Sequence, residues 1–379
     1  MRYLPWERSK KMVRGDFSKK WFYLVVLLIV SAALLPAHAN CKGYRHEEKL
    51  NREFSARDLV VVSIENSRGD VKIIGEKGIS KITLEAIKIV KTKSEDRAKE
   101  ILGLLKVDAR IDGNRLKIKA IYPKKNLVSS NLIKLLFEGG NRYRTDFIVR
   151  VPYRMSCRVY TASGDVSVRT IGGKFKVSTS SGDVKVDECN ETSIEVSSGD
   201  VVIGRCDGAL HMRSASGDIR VAECKGDFDA QTASGDVSLA KVDGVVTIKT
   251  ASGDAYLKDV RDVTFNGASG SLKIKNLRGA LNATASSGDI VVTARPERLC
   301  DYRISTSSGD VELEIDGACS GGFALNVQTA NGEISADLPE IEIQKITRNI
   351  LKGVVGEGKG MVKVQTATGD IEINRTGSD

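Results

Sequence analysis

A glycine recurs along this chain at nearly fixed intervals, usually followed by an aspartate and then an aliphatic residue. From Thr161 onward the phrase stays close to Thr-Ala-Ser-Gly-Asp-Val, with its glycines at Gly164, Gly182, Gly199, Gly217, Gly235, Gly253, Gly270, Gly288 and Gly309. Their spacings are 18, 17, 18, 18, 18, 17, 18 and 21 residues, and Gly332 and Gly369 continue the series at 23 and 37. A period of this kind means stacked structural repeats rather than one irregular globule. Counted from each glycine, aliphatic residues fall at +2 and +4, as in Asp236-Val237-Ser238-Leu239. That is strand alternation with one apolar face. A small or aliphatic residue follows at +7, and Gly173, Gly208, Gly226, Gly244 and Gly279 stand at +9 as a second turn. A second alternating run comes next, for example Val246-Thr247-Ile248-Lys249-Thr250. One repeat is thus two short strands and two turns, too little to hold a core of its own, so the core closes only when repeats stack. The expected fold is all-β: a single-stranded β-solenoid with ~18-residue coils, two strands per coil.

The flanks differ from the repeat. Residues 40–153 contain an early copy of the corner, Asn66-Ser67-Arg68-Gly69-Asp70-Val71, and alternating strands at Lys81–Ile89, Arg115–Ile121 and Asp146–Val151. Between them, Ala98, Ile101, Leu102 and Leu105 have helical spacing behind Ser94 as a candidate N-cap. This stretch reads as a β-rich cap with one helix. The solenoid repeats run over 154–338. Residues 339–379 hold an insertion and a final coil, with Ile341–Val364 and its four glycines acting as a terminal lid.

The net charge of +9 invites a nucleic-acid reading until it is located. Seven basic and two acidic residues lie in the first 20 positions; without them the chain keeps 51 basic and 47 acidic side chains, interspersed. A nucleic-acid footprint needs a clustered basic face, so none is expected. The basic start, the apolar run Trp21–Leu35 and the Ala37-His38-Ala39 site have the form of a secretory signal peptide over 1–39. Export to the periplasm, outer membrane or cell surface follows. Cys41 would be the lipidation residue and a means of membrane attachment, with an uncleaved leader as the other, although His38 and Asn40 depart from a lipobox.

Candidate chemistry is sparse. His211 is the one histidine within the repeats, and both tryptophans, Trp6 and Trp21, lie in the leader. A Ser-His-Asp or Cys-His arrangement has almost no material, and Tyr160, Tyr256 and Tyr302 are too scattered for a sugar-stacking groove. No enzyme and no cofactor are expected. The aspartates that follow the corner glycines, among them Asp183, Asp200, Asp218, Asp236 and Asp254, would form a ladder that could hold cations. Calcium-binding solenoids, however, supply several oxygens per ion from a nine-residue repeat. One Asp per coil fits turn-capping better. Arg68-Gly69-Asp70 spells a cell-attachment tripeptide, but it is also the repeat corner with Arg before Gly. Cys189, Cys206 and Cys224 all stand at +7 and should stack inside as a reduced ladder, while Cys157, Cys300 and Cys319 could cross-link in ways that spacing leaves open.

The serial Thr-Ala-Ser-Gly-Asp-Val phrases, the early Asn-Ser-Arg-Gly-Asp-Val copy and the leader together resemble the bacterial putative-adhesin family of exported β-strand-repeat proteins, over about Leu59 to the C-terminus. Ser271 and Glu333, in place of the corner Asp, depart from that pattern. The resemblance implies a solenoid of the cell envelope and, by name, adhesion; it carries no catalytic residues. The expected function is a non-catalytic exported scaffold that binds a protein or a cell-surface component. The alternative is an envelope-stress sensor or regulatory accessory domain, and a carbohydrate-active β-helix enzyme stands behind both.

Overall fold

The computed structural model describes residues 44–123, 142–297, 299–316, 319, 321–339 and 341–376. The leader and Cys41 lie outside the described residues. Tyr44 onward forms one compact unit, and it is a β-solenoid. The described strands make two sheets of 15 and 16 strands. Their central strands pair in parallel and in register, each with the equivalent strand one repeat away; for example Phe175↔Thr192 in one sheet and Val184↔Val201 in the other. Twelve coils can be traced through both sheets among the described residues. At about 4.8 Å per strand they span roughly 58 Å.

The core follows from the alternation. In the coil Phe228–Leu239, Phe228, Ala230, Thr232, Val237 and Leu239 are buried, while the residues between them reach solvent. Each sheet gives one apolar face, and the faces close on each other into a continuous interior that runs from Leu59 to Ile373. The threonine three positions before the glycine (Thr161, Thr179, Thr232, Thr250, Thr306, Thr329 and Thr366) lies inside this interior. Its branched carbon packs well on a pleated surface.

The glycine requirement at the corner is steric. Gly217 has φ +114, and a Cβ there would lie 2.2 Å from the carbonyl oxygen of Gly199 in the preceding coil. The coils therefore approach backbone to backbone at this edge.

At the N-terminal end, Val61–Asn66 and Val71–Glu76 form the first coil, with Asp165 donating its N–H to Asp70 Oδ1 at 3.1 Å. The chain then leaves the stack and returns at Ser156. The excursion supplies strands Lys81–Thr92, Arg115–Ile121 and Arg142–Pro152 and helix α1, Glu95–Leu104. Ala98, Ile101, Leu102 and Leu105 pack with Val90 and Tyr143 into a small second core. Ser94 holds the extended conformation of an N-cap, without a capping side-chain hydrogen bond.

The C-terminal end departs from sequence order. Gly360–Thr368 pairs with Asp301–Ser308 on one side and Phe323–Asn331 on the other. The last coil of the chain is therefore inserted beneath the coil that precedes it. Gly369 stacks on Gly309, and Gly332 on Gly369. The expected lid, Ile341–Val364, divides accordingly. Ile341–Thr347 and Ile350–Val355 form an antiparallel hairpin on the outermost coil, while Gly360 onward joins the stack.

Candidate functional site: the aspartate spine and the trough beside it

The corner aspartates are joined by a hydrogen-bonded spine. Each carboxylate accepts, through Oδ1, the backbone N–H of the equivalent residue one coil on. Asp165 accepts from Asp183 at 3.0 Å, Asp183 from Asp200 at 2.9 Å, and Asp200 from Asp218 at 2.9 Å. Asp218 accepts from Asp236 at 3.0 Å, and Asp236 from Asp254 at 2.9 Å. Ser271 continues the line in place of an aspartate: its N–H binds Asp254 at 2.8 Å and its Oγ accepts from Asp289 at 3.3 Å. The spine passes through Asp310 to Asp370 and ends at the N–H of Glu333, each step 2.8 Å. At the other end Asp146 accepts from Asp70 at 3.0 Å. Burial raises the Asp146 carboxyl above the ordinary range, and Arg144 reaches both Asp70 and Asp146 at 3.2 and 3.1 Å. The second turn repeats the device: Asp227 accepts from Val245 at 2.9 Å, and Asp262 from Ala280 at 2.8 Å.

The expectation of a local turn cap gives way to a bond between coils. A backbone N–H facing out of the bend has no strand partner, and an unpaired polar group is costly when shielded from water. At this corner one Oδ1 per coil satisfies one N–H per coil, which accounts for a single aspartate after each corner glycine. The outer oxygens take what lies nearby: Arg220 bridges Asp200 and Asp218 at 3.5 and 2.6 Å, and Tyr256 donates to Asp254 at 3.1 Å. Among the described residues, no group of three or more Asp, Glu, His or Cys side chains is arranged to hold a metal ion.

Beside the spine, on the outer face of one sheet, lies a trough of about 1000 Å³. The small residues two places before the corner glycine, Ser180, Ser197, Ala215, Ala233, Ala251 and Ala268, form its exposed floor. Longer polar side chains two positions earlier form the wall: Glu195, Arg213, Gln231, Lys249 and Asn266. Stacking in register turns a small-large pattern within one repeat into a continuous channel across six coils. The Thr-Ala-Ser phrase contains this pattern, but only the pairing of adjacent coils shows it as a surface.

The remaining candidates fall elsewhere. Arg68 lies with its guanidinium carbon 4.9 Å from the Tyr143 ring centre and 6.0 Å from that of Tyr122. Its neighbour Asn66 is buried and donates to Gly69 O and Thr145 O at 3.0 and 2.8 Å. With Asp70 in the spine, Arg68-Gly69-Asp70 is built into the first corner. The leader contains a second copy of the tripeptide, Arg14-Gly15-Asp16, which lies outside the described residues. His211 is exposed, 3.7 Å from Asp229. Tyr160 and Tyr256 are exposed and Tyr302 is fully buried, so the three share no groove.

Cys189, Cys206 and Cys224 are in register on adjacent coils and buried. Contact with Cys206 raises the thiols of Cys189 and Cys224, and burial adds to the rise. Cys206 Sγ lies 2.9 Å from the carbonyl oxygen of Asn190 and 3.3 Å from that of Gly208. A thiol donates into such a contact and a thiolate is repelled by it, so the ladder is three neutral thiols. Cys300 and Cys319 form a disulfide, Cα atoms 5.9 Å apart, within the usual range. Cys157 remains a buried free thiol, its pKa pushed up to about 12 by burial.

Comparison with known proteins finds a family model matching residues 59–265 and again 210–374, described as Toastrack DUF4097. Among solved structures, a putative cell adhesion protein from Clostridium sporogenes is 12% identical, with 87% of this chain and 100% of that one covered and a TM-score of 0.20. A putative adhesin from Parabacteroides distasonis is 11% identical over 70% of this chain and 97% of its own, TM-score 0.29. A putative lipid binding protein of the same species is 9% identical over 86% and 96%, TM-score 0.26. Likeness this distant says nothing of what the present chain binds. Comparison with curated proteins gives no match. The family model spans both ends of the described stack, and the chain belongs to the Toastrack DUF4097 family.

Proposed function

We propose that this chain is a non-catalytic, exported β-solenoid that binds an extended segment of a protein or another cell-envelope component along its trough. The observation that carries this reading is the trough itself: a floor of small side chains across six coils, flanked by polar groups of both signs. Such a surface admits an extended chain lying along the stack, with contacts repeating every ~4.8 Å. Adhesion is one use of such a surface. Export is supported by the signal-like leader and by the Cys300–Cys319 disulfide, a bond that persists in oxidising compartments. A catalytic role lacks material, because His211 stands alone on the repeat surface and the thiols are buried within it.

The test is binding to whole cells and envelope preparations by the wild type and by a variant whose trough is filled, Ala233→Trp with Ala251→Trp. Both sites are exposed, so the fold should survive. Loss of about 10-fold or more in affinity supports the reading, in line with displacing one or two well-packed contacts. Unchanged binding removes the trough as the site. Robust hydrolase or lyase activity, abolished by a point mutation, removes the non-catalytic reading altogether.

A further inference from the structure

We propose that the C-terminal end of the stack is an interface with a second copy of this chain. The two sheets do not stop together. One ends at the short strand Ile334–Asp337 of the outermost coil. The other continues two strands further, through Ile350–Val355 to the edge strand Ile341–Thr347. The projecting hairpin has an inner and an outer face. Leu351 and Val355 are buried on the inner one. Across the hairpin, Ile341 is opposite Val355, Ile343 opposite Gly353 and Ile346 opposite Leu351. Opposed residues share a face, so all three isoleucines belong to the inner side. They keep that side only because the register shifts by one residue between Ile343 and Lys345, which a regular strand would not allow. Coverage runs out at this strand: Ile343 is 53% exposed and Ile346 is 68% exposed.

The shape of the step identifies the occupant. A two-fold axis across the end would set each projecting hairpin opposite the other, in the place of the strands that the shorter sheet lacks. Each Ile341–Thr347 strand would then cover the isoleucines of its mate and meet the free edge of its mate's Ile334–Asp337. The charges at this end fit the same occupant. Asp337, Glu342, Lys345, Arg348 and Lys352 are of both signs and form no ion pair among the described residues, whereas the rest of the surface is rich in such pairs. A seven-residue strand is about 23 Å long, and two sheets deep the end covers on the order of 500 Å² per copy. Two such faces reach the ~1,000 Å² of a specific interface. The opposite end differs. Helix α1 closes part of it, and its edge strands Tyr44–Ser55 and Lys106–Asp112 carry charges at short intervals, a pattern that resists edge pairing. One open end and one protected end give a closed dimer rather than a fibre. This inference is independent of the trough.

Sedimentation velocity of the full chain is the test, with Ile343→Asp/Ile346→Asp as the variant. Both side chains are exposed in the single copy, so the circular dichroism spectrum should match the wild type, and the melting temperature should match that of the wild type diluted to monomer. The expected result is a wild-type dimer and a variant whose dimerisation is weakened about 100-fold or more, as for apolar groups lost from the centre of an interface. Amides of Ile341–Thr347 should also exchange more slowly as wild-type concentration rises. A wild type that stays monomeric at about 100 μM, polymers in place of dimers, or a dimer indifferent to the variant would each overturn the proposal.

Discussion

Substituting one aspartate of the spine separates a hydrogen-bonding role from a cation-binding one. Asp218 accepts the N–H of Asp236 at 3.0 Å, and its own N–H is bound by Asp200 at 2.9 Å. Asp218→Ala removes the first bond and leaves the second. A bond to a charged acceptor contributes about 1.5–3 kcal/mol. Against this, losing one carboxylate relieves repulsion from its neighbours, roughly 0.9 kcal/mol each in water before screening by salt. The Arg220 pair is half-exposed and adds nearly nothing. The net cost is about 1 kcal/mol. Asp218→Asn keeps an oxygen acceptor and also relieves the repulsion, so it should lie within about 0.5 kcal/mol of the wild type. Asp218→Ser should fall between them, since Ser271 already makes a longer version of the bond at 3.3 Å. Urea unfolding gives the stabilities, and hydrogen exchange at Asp236 gives the local effect, with protection lost in the alanine variant and kept in the asparagine one. Equal losses for alanine and asparagine, or a wild-type midpoint that rises with calcium and falls with chelator, would refute the hydrogen-bond reasoning and favour bound cations.

Four further outcomes follow from the packing. Gly217→Ala, with φ +114 and a Cβ 2.2 Å from Gly199 O, should cost about 3 kcal/mol or prevent folding, read as a fall in melting temperature. Thr250→Val should stabilise by about 1 kcal/mol, because the Thr250 hydroxyl is buried without a hydrogen-bond partner and the exchange removes an unpaired polar group. Reduction, or Cys300→Ser with Cys319→Ser, should cost about 3 kcal/mol by releasing a loop with its ends 19 residues apart; equal denaturation midpoints with and without reductant would contradict this. Cys157 is raised from 9.0 to about 12 in the folded chain. The unfolded thiol loses its proton first, so its contribution is complete below pH ~9 and declines by about 1.4 kcal/mol per pH unit as pH rises toward ~12. Cys157→Val should flatten that stretch of the stability profile.

The repeat was legible because three constraints coincide in the chain: a glycine where coils touch, an alternating apolar face, and a period long enough for two strands. Helix α1 was legible for a similar reason, since Ala98, Ile101 and Leu102 form a stripe on a small core. Spatial order at the C-terminal end was not. Spacings of 23 and 37 residues say that Gly332 and Gly369 are corners, but strand order in a sheet depends on which edge the chain returns to, and spacing carries no trace of that. The role of the aspartates was half legible. The residue type points to a capped backbone N–H, but a local turn and the next coil are distinguished only when the corners are superposed. The trough and the projecting isoleucines are both surfaces assembled from several strands. For the isoleucines, the register shift after Ile343 reverses the face that simple alternation would assign to Ile346.

Spin-label distances between corner serines test the stack itself. Ser163, Ser181, Ser198, Ser216, Ser234 and Ser252 are register partners in consecutive coils, and the series continues through Ser269 and Ser287 to Ser308. Labels at Ser163 and Ser252 should lie roughly 24 Å apart, and labels at Ser163 and Ser308 roughly 38 Å apart, five and eight steps of about 4.8 Å. Distances that do not grow in proportion to the number of coils would contradict a single parallel stack.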